Sequence, residues 1–143
     1  MLYYKRMKIF KFTLLLTLLS IYSCTTISDQ DLVYLNGYWE IEQVESHGEI
    51  FNPRGGNVLV DLYVLDSMKG IRKKLAPSFG ANYSSSEDQF NFVIERIDEA
   101  YYIVYEDALK PWKEKIKSIN EESLELEHSD KVYYYKRHKK ISL

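Results

Sequence analysis

Residues 35–44 read Leu-Asn-Gly-Tyr-Trp-Glu-Ile-Glu-Gln-Val. An Asn-Gly pair marks a turn. The interchange of apolar and charged residues that follows has the period of a half-buried strand. Trp39 and Ile41 share one face, while Val44 breaks the alternation and predicts a bulge or a local twist. A strand set out this way needs partners, so the stretch commits the following chain to a sheet.

The following chain repeats the pattern. His47-Gly48 ends the first strand, and residues 49–57, with Asn52-Pro53 and Gly55-Gly56, read as a loop. Residues 58–66 form a strand that is mostly apolar on both faces, as expected of one covered on both sides or lining a cavity. Residues 70–77 follow as a shorter strand carrying Arg72, Lys73 and Lys74, stopped by Pro77. Residues 78–88, with Gly80, Asn82 and Ser84-Ser85-Ser86, read as a loop. Strands are then expected over 89–97, 100–106, 112–119, 123–128 and 131–136, joined by turns at Asp98-Glu99, Asn120-Glu121-Glu122 and Ser129-Asp130 and by a loop over 107–111. Lys113, Lys115 and Lys117 fall on one side of their strand, the side expected to meet solvent.

With residues 38–46 this makes eight strands and no helix-length amphipathic segment. Thirteen tyrosines and two tryptophans fit that reading, because aromatic side chains favour pleated, half-buried surfaces. Eight meandering antiparallel strands leave two bare edges unless they close, so the expected fold is all-β, an eight-stranded antiparallel up-and-down barrel. Such a barrel has an interior just wide enough for side chains or one small ligand. Residues 31–35, ahead of the first strand, can form a short helical turn that puts Leu32 and Leu35 on one side.

The N-terminal segment has a different composition. Lys5, Arg6, Lys8 and Lys11 precede a ten-residue apolar run over 12–21, short for a membrane span and right for a signal peptide. Met1 or Met7 could begin it. Ile21-Tyr22-Ser23-Cys24 is similar to a bacterial lipobox, with a branched aliphatic residue three before the cysteine and a small one just before it; Tyr22 departs from the pattern. The resemblance implies cleavage before Cys24 and addition of fatty acyl chains such as palmitate to its thiol and new amine. Cys24 is the only cysteine, so no disulfide within the chain competes for it. The expected organisation is a signal peptide over 1–23, a lipidated tether over 24–31 and one domain over 32–143. Without the four basic residues of the signal, 15 basic residues face 21 acidic ones, a balance that argues against nucleic acid as a partner.

Gly37-Tyr38-Trp39 resembles the G-x-W signature on the first strand of lipocalins. In that family a helical turn precedes the signature and closes one barrel end, and a basic residue from the last strand packs over the Trp. Arg137 is the best match for that residue and Lys136 the second; the family's second signature, a Thr-Asp-Tyr-type turn, is not visible. Bacterial lipocalin-like lipoproteins share the plan of lipobox, brief tether and tyrosine-rich last strand. The resemblance implies a cell-envelope protein, lipid-anchored in an outer membrane, with Trp39 and Arg137 closing the barrel.

The function expected is non-catalytic binding of a small apolar or amphipathic ligand, with Tyr63, Arg72, Tyr105, Trp112, Glu114 and Tyr134 as candidate ligand-binding residues. The alternative is a structural or interaction module with a packed core that docks on another envelope protein. Asp61 and Glu114 share faces with apolar residues, so an internal pair between Arg72 and these carboxylates is also expected, because a buried charge needs a partner. His47, His128 and His138 have no metal-ligand spacing, and no serine or cysteine sits in a nucleophile motif, so neither catalytic nor metal-binding residues nor a cofactor is expected.

Overall fold

The computed structural model describes residues 26–53, 60–77, 83–106 and 109–139. A 3₁₀ turn, Asp31–Leu35, precedes nine strands. These are β1 (Gly37–Ser46), β2 (Glu49–Phe51), β3 (Val60–Asp66), β4 (Lys69–Pro77), β5 (Tyr83–Ile97), β6 (Ala100–Tyr105), β7 (Trp112–Ile119), β8 (Ser123–His128) and β9 (Lys131–Arg137). Every pairing is antiparallel, and β1 also pairs with β9 from Trp39↔Arg137 to Ser46↔Lys131. That last ladder closes β1 and β3 to β9 into an eight-stranded barrel. The signal peptide expected over 1–23, Cys24, Val58 and residues 107–108 of the expected loop lie outside the described residues.

Two segments expected as loops are strand. His47 and Gly48 both take positive φ, 52° and 79°, the geometry of a tight hairpin turn. The turn returns the chain alongside β1, so β2 pairs Val44↔Phe51, Glu45↔Ile50 and Ser46↔Glu49 as an extension of the wall outside the closed ring. The second is the start of β5, where Ser84 and Ser85 pair with Ala76 and Leu75 beyond a register shift. The ladder there needs only backbone groups, so the polar sequence does not prevent it.

Inward residues alternate along each strand: Trp39 and Ile41, Asp61 and Tyr63, Phe92 and Ile94, Tyr101, Ile103 and Tyr105, Leu124 and Leu126. One end is sealed by the 3₁₀ turn. Leu32 and Leu35 are buried there, and the Trp39 indole donates to the Leu35 carbonyl at 2.9 Å. Arg137 lies over the Trp39 ring at 3.8 Å and donates to the carbonyls of Tyr34, Asn36 and Glu121 at 2.7–2.8 Å. Gly37 takes φ +118°, and a Cβ there would stand 2.7 Å from the Arg137 guanidinium, so glycine is needed for both conformation and space.

The chain ahead of the turn is fastened to this same end. Ile27 packs on the core, Ser28 donates to Asp31 at 2.7–2.8 Å, and the Tyr101 hydroxyl donates to Asp29. The tether expected over 24–31 is therefore held against the barrel from Ile27 onwards.

Candidate functional site

Three charged side chains are buried among the described residues: Asp61 on β3, Arg72 on β4 and Glu114 on β7. Strand alternation points all three inward. Tyr63 stands opposite Arg72 in the β3–β4 ladder, and Glu114 opposite Ile103 in the β6–β7 ladder. They meet in the middle of the lumen. Arg72 Nη2 reaches Asp61 at 2.7 Å and the Tyr135 hydroxyl at 3.3 Å. Its Nη1 donates to both Glu114 oxygens at 3.2 and 3.3 Å and to the Tyr105 hydroxyl at 3.2 Å. Tyr105 donates in turn to Glu114 at 3.1 Å. Lys74 approaches Asp61 at 3.3 Å from the open end, its own side chain partly exposed.

Burial opposes the charge on Arg72, and the facing phenols and Glu114 more than offset it, so the guanidinium is held charged. Burial pushes the hydroxyls of Tyr63, Tyr105 and Tyr135 above the ordinary phenol range, with Arg72 pulling the other way. Two donors are left over: among the described residues, Arg72 Nε and the Tyr63 hydroxyl have no hydrogen-bond partner of good geometry, although Tyr63 lies close enough to Tyr105 to influence its proton. Both carboxylates are engaged by one arginine, so neither is placed as a free base. This arrangement plugs the lumen, and a ligand cannot pass it without breaking the ion pairs.

Above the plug, towards the end of the barrel opposite the 3₁₀ turn, aromatic side chains follow. Trp112 stacks on Tyr105 at 4.3 Å and 17°, and Phe90 meets Trp112 edge-on at 5.3 Å. On the opposite side of the same mouth, β9, β1 and β2 line a pocket of about 440 Å³. Val44, Phe51 and Tyr133 supply its apolar surface, and Ser46, Glu49 and Lys131 its polar edge. Phe51 is 65% exposed. Another groove, about 510 Å³, runs along the outer wall between Lys69, Ile71, Asn91, Val93, Val104 and Glu106.

Of the residues singled out in the sequence, Tyr63, Arg72, Tyr105 and Glu114 converge in the plug, and Trp112 lies on top of it. Tyr134 is a correction. It faces out of the barrel between the inward Tyr133 and Tyr135, and its hydroxyl donates to Glu45 at 3.0 Å. Three consecutive tyrosines give no apolar–polar contrast from which to read the face. Trp39 and Arg137 meet at the closed end. Lys113 covers the Tyr102 ring at 4.9 Å and Lys117 pairs with Glu127 at 3.2 Å, both on the outer wall. Three residues of the mouth pocket, Glu49, Ile50 and Phe51, lie on β2, a segment expected as loop; the His47-Gly48 turn is the sequence signal that points to it. Among the described residues no cluster of three or more His, Asp or Glu could hold a metal.

No family model matches the chain, and no curated protein matches it. Two solved structures are similar to it. One is a lipocalin-like protein from Bacteroides uniformis ATCC 8492, at 11% identity and a TM-score of 0.47. The other is an uncharacterized protein from Bacteroides eggerthii DSM 20697, at 8% identity and the same TM-score. Each likeness covers 73% of this chain and 99% of the other.

Proposed function

We propose that the protein is a lipid-anchored barrel of the cell envelope that binds a small amphipathic ligand at its mouth, without catalysis. The observation that carries this reading is the pocket of about 440 Å³ on the inner face of β9, β1 and β2. Its size falls in the range of ligand pockets, and an apolar base with a few polar groups at the edge suits a molecule with one greasy and one charged part. Lys131 is the cation that would meet an acidic head, and Phe51 the exposed ring that would cover an acyl or aromatic body. The plug sets the depth, because the paired charges of Asp61, Arg72 and Glu114 form the floor. The anchor rests on the lipobox-like Ile21-Tyr22-Ser23-Cys24.

A second reading, a docking module, is favoured by the filled lumen and by Ile50, Phe51 and Leu109, which expose large apolar side chains at the mouth. A titration of the acyl-free domain with a fluorescent fatty acid separates the two. Saturable binding that weakens about tenfold in Phe51→Ser and in Lys131→Ala, roughly the loss of one good contact, supports the ligand reading. Absence of saturable binding to fatty-acid and aromatic probes overturns it and leaves the docking module. For the anchor, Cys24→Ser should release the protein from membranes; retention of that variant would overturn acylation.

A further inference from the structure

We propose that the sealed end of the barrel is a membrane-contact surface, with Val33, Tyr34 and Met68 resting among the headgroups of the bilayer that carries the acylated Cys24. The inference rests on the lipid anchor proposed above and adds an orientation to it.

The length of the tether carries the argument. Ile27 already packs on the core, and Ser28, Asp29 and Asp31 are hydrogen-bonded at the sealed end. Only the stretch from Cys24 to Ile27 is left to span the gap. Three residues reach at most about 10 Å even when extended. A barrel on so short a leash cannot tumble freely above the surface, and the end that holds the leash faces the lipid.

That end carries the side chains such a contact needs. The 3₁₀ turn buries Leu32 and Leu35 and turns the next two residues outward, leaving Val33 61% and Tyr34 38% exposed. Met68, in the β3–β4 turn at the same end, is 39% exposed. A tyrosine among headgroups keeps its ring in the apolar zone and its hydroxyl in water. The other turns at this end carry Asp98, Glu99, Glu121 and Glu122, with Glu99 paired to Arg96 and Glu122 to Lys139, a mixed charge that suits a zwitterionic surface rather than a strongly anionic one. The mouth pocket, at the far end, then opens into the aqueous space.

The test uses the full acylated chain in phosphatidylcholine vesicles. Acylation occupies Cys24, so Val33→Cys and Leu109→Cys each offer a single free thiol for an environment-sensitive fluorophore. Co-sedimentation with the vesicles is measured first. The expected result is that both variants sediment, that the label at position 33 is blue-shifted and quenched by a headgroup nitroxide lipid, and that the label at position 109 is neither. Sedimenting protein with both labels in water, or both equally quenched, overturns the orientation and leaves the anchor standing. Protein that stays in the supernatant overturns the anchor, and the orientation with it.

Discussion

Arg72 joins more of the barrel than any other side chain described above, touching Asp61, Glu114, Tyr105 and Tyr135 from four other strands. Breaking a buried ion pair by removing one partner leaves the other charged in a poor solvent. Arg72→Met should therefore lower stability by about 3–5 kcal/mol, read as a drop in the urea midpoint at unchanged slope. Adding Glu114→Gln and Asp61→Asn to that variant should recover most of the loss; no recovery would mean that Arg72 acts through packing rather than charge. The inward placement of Asp61 and Glu114 was legible in the sequence, because each shares a face with apolar or aromatic neighbours; the Arg72 face of β4, with Gly70, Lys74 and Ala76, offers no such contrast. The pairing of Arg72 with these carboxylates was expected because a buried charge needs a partner, whereas the hydroxyls of Tyr105 and Tyr135 join it through register and barrel curvature, which the sequence does not show. Tyr134 failed for a simpler reason: between Tyr133 and Tyr135 the strand has no pattern to read.

The hairpin turns set the register of the elements. Asp98 and Glu99 both sit at positive φ, 47° and 64°, a region that Gly, Asn and Asp tolerate, so the strain falls on Glu99. The Glu99 carboxylate pairs with Arg96, but both groups are well exposed, so that contact returns little. Glu99→Gly should consequently raise stability, by about 0.5–1 kcal/mol once the lost pair is subtracted. A thermal melt checks this, and a lower Tm would show that the Arg96 contact outweighs the strain. Strands with an apolar face, such as β6 and β8, were readable from period two alone. β2 and the start of β5 were not: β2 is three residues long, too short to show a period, and the start of β5 is polar, so their pairing is set by a turn and by the ladder beside them.

On the scale of the whole molecule, the three buried phenols make stability sensitive to alkali. Tyr63, Tyr105 and Tyr135 hold their protons above the range of an unfolded tyrosine, near pH 10. A group whose pKa is raised by folding contributes fully below its unfolded value and loses that contribution as pH rises beyond it. Stability should be flat across neutral pH and fall above about pH 10, with unfolding and tyrosinate absorbance rising together. Early ionisation of these tyrosines in a chain that stays folded would contradict their burial. Closure by β1 against β9 has a further consequence. It joins residues about a hundred positions apart, as in the Arg137 bond to Asn36. Contacts this distant form slowly, and the seam has no second strand until Lys131–Arg137 has been made. The last strand is therefore the lock of the ring: a chain shortened before Lys131 leaves this edge of β1 bare, and the other seven strands cannot close without it.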